Sequence, residues 1–144
     1  MIRFAASRVE AAPPQTCAAW TDLLARLLLA AVACSQAQTR RQLQAFGVRR
    51  TGTAGTNLAR EQAMAQRMAA AAGVQVPALT LQRRVGELAR PGPLAWHLRG
   101  LAAAYQQLLS TPALPAPLAV WLQGRCRVHL AQAEAMDQAP DLRT

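Results

Sequence analysis

The side chains best suited to chemistry lie in the last third of the chain. His129 follows Cys126 by three residues, a spacing that puts both on one face of a helix, and His97 is the other histidine. Neighbours three apart on a helix can share a metal ion or pass a proton. His97, Cys126 and His129 are therefore the candidate metal ligands, and Cys126 beside His129 the candidate nucleophile and base. If the helices carrying the two histidines pack antiparallel, His97 falls near the far end of the last helix and reaches His129 only through an offset. A histidine on an apolar stripe is more often a hydrogen-bonded core residue, and no motif nearby supplies an orienting acid or an oxyanion hole. The expectation is no metal, no cofactor and no catalytic residue.

Other chemistries are narrowed by what the chain lacks. It has sixteen arginines and no lysine, so a P-loop lysine, a Schiff-base lysine and a lysine general base are all excluded. Di-metal sites in helical bundles use Glu-x-x-His pairs, whereas Glu61, Glu87 and Glu134 are followed at the third place by Met64, Arg90 and Asp137. "RTGTAGTN", 50–57, offers glycines and a helix start but no lysine, no preceding strand and no third glycine. It reads as a linker.

The net charge is +9, which draws nucleic acid, acidic lipid and acidic proteins. Arg40, Arg41, Arg49, Arg50, Arg83, Arg84, Arg125 and Arg127 are the candidate basic surface. They are spread over several segments without interleaved aromatics for base stacking, so a solvated basic face is the preferred reading and a phosphate-contacting surface the alternative.

The elements that must position these groups are helical. The apolar content is mostly Ala and Leu, with two Phe, one Tyr and three Trp, which favours helices over strands. Trp20, Leu23, Leu24, Leu27, Leu28 and Ala31 share one face of a first helix, with Pro13 and Pro14 before its start, Thr16 as cap and Gly47 as stop. A second helix spans 58–73, capped by Thr56 or Asn57, with Leu58, Ala65, Met68 and Ala72 in a stripe. A short third has Leu81, Val85 and Leu88 on one face and Arg83 and Arg84 on the other. The fourth, 94–110, aligns Leu94, Leu98, Leu101, Tyr105 and Leu108. After the stiff "STPALPAP" connection, the fifth, about 117–138, aligns Leu118, Leu122, Cys126, His129, Ala133 and Met136. The expected fold is all-α, an up-and-down bundle of four or five helices.

The segment before residue 38 has three readings. Leu27–Cys34 is an unbroken apolar run after Arg26, followed by polar residues, and Ala31-Val32-Ala33 has A-x-A spacing. These are features of a secretory or lipoprotein leader. The same residues form the first amphipathic helix of the fold, and the basic Met1–Arg8 stretch is compatible with an organellar presequence. The organisation is therefore a leader or first helix over 1–37 and one helical-bundle domain over 38–144. No permanent transmembrane span is expected, since about 18 apolar residues are required.

"HLRGLAAAYQQLLSTPALPAPLAVWLQGRCRVHLAQAEAM", 97–136, resembles the end of a family of small exported bacterial proteins with a ferritin-like helical bundle and no established activity. His97 opens one helix, and His129-Leu130-Ala131-Gln132-Ala133 stands in the family's "His-Leu-x-x-Ala" context after a Pro-containing loop. "AMAQRM", 63–68, and "AGVQVP", 72–77, are similar to its upstream segments. The resemblance implies export to a bacterial periplasm or envelope. The expected function is non-enzymatic: binding of a protein partner, a second copy or an acidic surface. The alternative is a cytoplasmic, arginine-rich nucleic-acid-binding or assembly subunit.

Overall fold

The computed structural model describes residues 12–44 and 53–138, and side chains over 12–37 and 57–138. Five helices follow one another: α1 (Pro14–Gln44), α2 (Thr53–Ala71), α3 (Ala78–Leu88), α4 (Leu94–Leu109) and α5 (Ala116–Asp137). Among the described residues there is no strand, and the fold is an all-α bundle as the composition implies.

Helix α1 lies at the centre. It packs against α2, α3 and α4, and Trp20, Leu23, Leu24, Leu27, Ala30 and Cys34 are all but sealed from solvent. Its apolar stripe is wider than the periodicity alone marks, because Ala19, Ala25 and Ala33 are buried as well. The helix runs unbroken through position 37, where leader and domain were divided. By length and composition Pro14–Ala37 is also apolar enough to cross a membrane, and more than half of its most apolar 18-residue stretch is buried within the protein.

Several boundaries differ from expectation. Pro14 is the first residue of α1, with the Cys17 amide bonded to the Pro13 carbonyl at 3.0 Å, so Thr16 lies inside the first turn and not at the cap. Proline suits this position because its missing N–H would have had no helical partner. The helix is described to Gln44, and the expected stop at Gly47 lies outside the described residues. Helix α2 begins at Thr53, five residues early, and takes in part of the expected linker. Gly55 falls in its first turn, where amides have no carbonyl four residues back and glycine costs little.

The far end of α2 follows the sequence closely. Gly73 has φ 80°, the Gly73 amide bonds to Ala70 at 3.0 Å, and the Val74 amide reaches back to Ala69 at 2.8 Å. This double closure caps the last carbonyls and buries Val74. Ala113, in the α4–α5 connection, has φ 59°, where a side chain costs about 1–2 kcal/mol. Opposite effects are expected at the two turns: Gly73→Ala loses about 1–2 kcal/mol of unfolding free energy, whereas Ala113→Gly gains up to about 1 kcal/mol, part of the relief being offset by glycine's entropy when unfolded. Urea unfolding of both variants checks this.

Helices α4 and α5 form an antiparallel pair. Tyr105 meets Trp121 edge to face at 5.6 Å, the Cys126 thiol donates to the Ala102 carbonyl at 3.5 Å, and Leu98 joins Ala133 and Met136. Leu98, Leu101, Tyr105 and Leu108 are buried on α4, and Leu118, Leu122, Cys126, His129 and Ala133 on α5. On α3 the structure corrects one placement: Arg84 is not opposite Leu81. Three residues on, it falls on the same side and reaches Asp22 of α1 at 2.5 Å, while Arg83 is exposed.

Candidate functional site

Three helices each bring one polar residue of an apolar stripe to the same buried point. On α2, Glu61 follows Leu58 by three and precedes Ala65 by four, so it faces inward between them. On α4 the seam contributes Tyr105, and on α5 it contributes His129. Arg125, one turn before His129, reaches in from the flank. The Glu61 carboxylate accepts from all three partners: His129 Nε2 at 2.8 Å and the Tyr105 hydroxyl on Oε2, and Arg125 Nη2 at 2.9 Å on Oε1. The Glu61 and His129 side chains are only 5% and 2% exposed, against 32% for Arg125.

Burial pushes the Glu61 carboxyl upward, but the hydrogen bond and charge of His129, followed by the bonds from Tyr105 and Arg125, outweigh it. The net effect holds Glu61 below the ordinary glutamate value. Tyr105 is driven far up, first by burial and then by the neighbouring Glu61 charge, so its hydroxyl remains a donor. Because an ionised carboxylate only accepts, His129 Nε2 must carry a hydrogen. The other ring nitrogen, Nδ1, lies 2.9 Å from Oε1 of the exposed Gln132 side chain. The Tyr105 ring stacks on His129 with centroids 6.0 Å apart and fixes the imidazole plane.

A depressed glutamate contributes stability fully above its unfolded-state value of about 4.3, and that stability is lost as the pH falls through the folded value. Between about pH 5 and pH 3 the wild type is therefore expected to lose more stability than Glu61→Gln, which has no carboxylate to protonate. Parallel losses in urea titrations would contradict this.

His129 and Arg125 form the polar floor of a cleft of about 610 Å³. Its walls are Leu58 of α2, Leu94 and Leu98 of α4, and Val128, Ala135 and Met136 of α5, with Cys34, Asn57 and Gln132 at its margins. Among the described residues no aspartate or glutamate lines it. The Arg125 Nε is buried without a hydrogen-bond partner.

The candidate metal ligands are not brought together. His97 is half-buried, edge-on to Trp96 at 5.0 Å, its pKa lowered by burial and by Arg26. Cys126 donates to Ala102 and, at 3.8 Å, to Gln106 Oε1, and the His129 nitrogens belong to Glu61 and Gln132, so thiol and imidazole are not a couple. Among the described residues no group of three or more His, Cys, Asp or Glu is placed to hold a metal ion.

The eight surface arginines divide in the same way. Arg84 pairs with Asp22 and with Glu87 at 2.9 Å, and Arg125 pairs with Glu61 through Nη2, so each of the two already faces a carboxylate. Arg83 and Arg127 are exposed. The Arg40 and Arg41 side chains, and Arg49 and Arg50 altogether, lie outside the described residues.

Glu61 and Tyr105 are the site residues that the chemical motifs missed. The signal for Glu61 was its place on the Leu58–Ala65 stripe, where a carboxylate has to find buried donors. No family model, curated protein or solved structure matches the chain.

Proposed function

We propose that this protein is a non-enzymatic helical-bundle binding protein whose binding element is the cleft over His129 and Arg125. The observation that carries this reading is the juxtaposition of apolar walls from α2, α4 and α5 with a polar floor whose geometry is fixed from behind by Glu61. Clefts of about 300–1,000 Å³ with apolar walls and a few oriented polar groups are the usual form of a small-molecule site. The commitment of Cys126 to backbone and of His129 to Glu61 and Gln132 favours binding over nucleophilic catalysis.

The same packing bears on location and partners. Residues 14–44 are read as the core helix, so the envelope reading rests on the resemblance of 97–136 and not on a leader over 1–37, with the cytoplasm as the alternative. The pairing of Arg84 and Arg125 with carboxylates weakens the nucleic-acid reading.

The test is calorimetric binding of the eight-carbon amphiphiles octanoate and octanol to the wild type and to two variants that fill the cleft, Ala135→Trp and Val128→Trp. Binding of at least one amphiphile, weakened at least about tenfold in both variants with unfolding midpoints unchanged, is the expected result. Failure of both compounds to bind, or binding indifferent to the tryptophans, contradicts the reading.

A further inference from the structure

The chemistry of the floor goes further and names a class of guest; this step rests on the cleft being the binding element. We infer that the cleft takes a monocarboxylic acid with an unbranched apolar chain, and that its carboxylate sits against Arg125 and the Nδ1 side of His129.

The argument is one of charge and donors. Among the described residues Glu61 supplies the one carboxylate facing His129, and its oxygens already accept from Tyr105 of α4 and from His129 and Arg125 of α5. On the cleft side the charged and titratable groups are Arg125 and His129, with Cys34 of α1 at the margin and no acid among the described residues. Arg125 has five N–H donors, of which one on Nη2 serves Glu61 and that on Nε is buried, which leaves the other terminal N–H groups for a guest. A guest carboxylate meets that donor capacity, whereas an ammonium would meet the Arg125 cation with no acid beside it among the described residues. An alcohol would use one lone pair where a carboxylate offers two oxygens.

The histidine completes the seat. His129 and Gln132 both line the cleft, with Nδ1 against the Gln132 amide oxygen at 2.9 Å, so a guest carboxylate that displaces this oxygen takes its place as the acceptor opposite Nδ1 while Nε2–H stays on Glu61. Leu58, Leu98, Val128 and Met136 then cover the chain.

The experiment is titration calorimetry of the full chain with octanoate, octanol and octylamine. Ala135→Trp and Val128→Trp serve as cleft-filled controls. Octanoate is expected to bind at least about tenfold more tightly than octanol, and octylamine not measurably. Octanol binding as tightly as octanoate, with both lost in the filled variants, would overturn the acid assignment and leave the cleft reading standing. Octanoate that binds the filled variants as well as the wild type sits on the basic surface, which overturns the assignment. If none of the three compounds binds, the cleft reading fails, and the acid assignment with it.

Discussion

Glu61→Ala is expected to remove about 3–5 kcal/mol of unfolding free energy, the range for breaking a buried ion pair from one side. The carboxylate is the shared acceptor of three donors, and alanine leaves Tyr105, His129 and Arg125 facing a small void with nothing to accept their hydrogens. Against a total of about 5–15 kcal/mol for a domain of this kind, that loss takes the protein close to its threshold. Glu61→Gln keeps the volume and one carbonyl acceptor, so its expected cost is smaller, about 1–3 kcal/mol. Glu134→Ala is the control: Glu134 is exposed on α5, and its loss should lie within about 0.5 kcal/mol of zero. Urea unfolding followed by helical circular dichroism ranks the three variants. If Glu61→Ala were as silent as Glu134→Ala, the buried quartet would not exist in solution.

Removing residues 1–37 is expected to abolish cooperative unfolding altogether. The deletion takes Trp20, Leu23, Leu24 and Leu27 from the centre of the core, together with Ala30 and Cys34. Each fully buried leucine contributes about 1.5–3 kcal/mol, so these side chains alone rival the whole stability of a small domain. The apolar faces of α2, α3 and α4 that pack on α1 would be exposed at once. Residues 38–144 should therefore show a broad, non-cooperative melt and bind hydrophobic dyes. The same packing predicts that protein recovered from its native host still contains residues 14–44. A sharp transition in the truncated chain, or a mature mass beginning at Cys34 or Gln38, would make the segment a leader after all.

This segment shows what periodicity can and cannot decide. An export signal and a central core helix both need an unbroken apolar run flanked by polar residues, so "LLLAAVAC", 27–34, satisfies either. The distinction lies in the partners of the run, and those are dozens of residues away on α2, α3 and α4. Where a stripe is self-contained the sequence was more informative: the α4 seam and the α5 stripe through Cys126, His129 and Ala133 were legible, because spacings of 3 and 4 identify a helix face without knowledge of what covers it. The Arg83-Arg84 pair does not act as a unit, because neighbours on a helix differ by about a third of a turn. Glu61 has no metal-binding spacing to mark it. Its position on a stripe demanded a buried donor, and His129, on another apolar stripe, was the complementary demand. The cleft had no sequence signature, since its walls come from three helices separated along the chain.

The most direct test of the central claim, that the cleft over the Glu61–His129 pair is the binding element, is an amide-resolved NMR titration of the full chain with octanoate. The expected perturbations cluster at Leu58, Leu98, Val128, Gln132 and Met136, accompanied by a shift of the His129 ring nitrogens, while Leu79 on the exposed face of α3 stays unchanged. Perturbations spread over the exposed arginines with the His129 ring untouched would contradict the account.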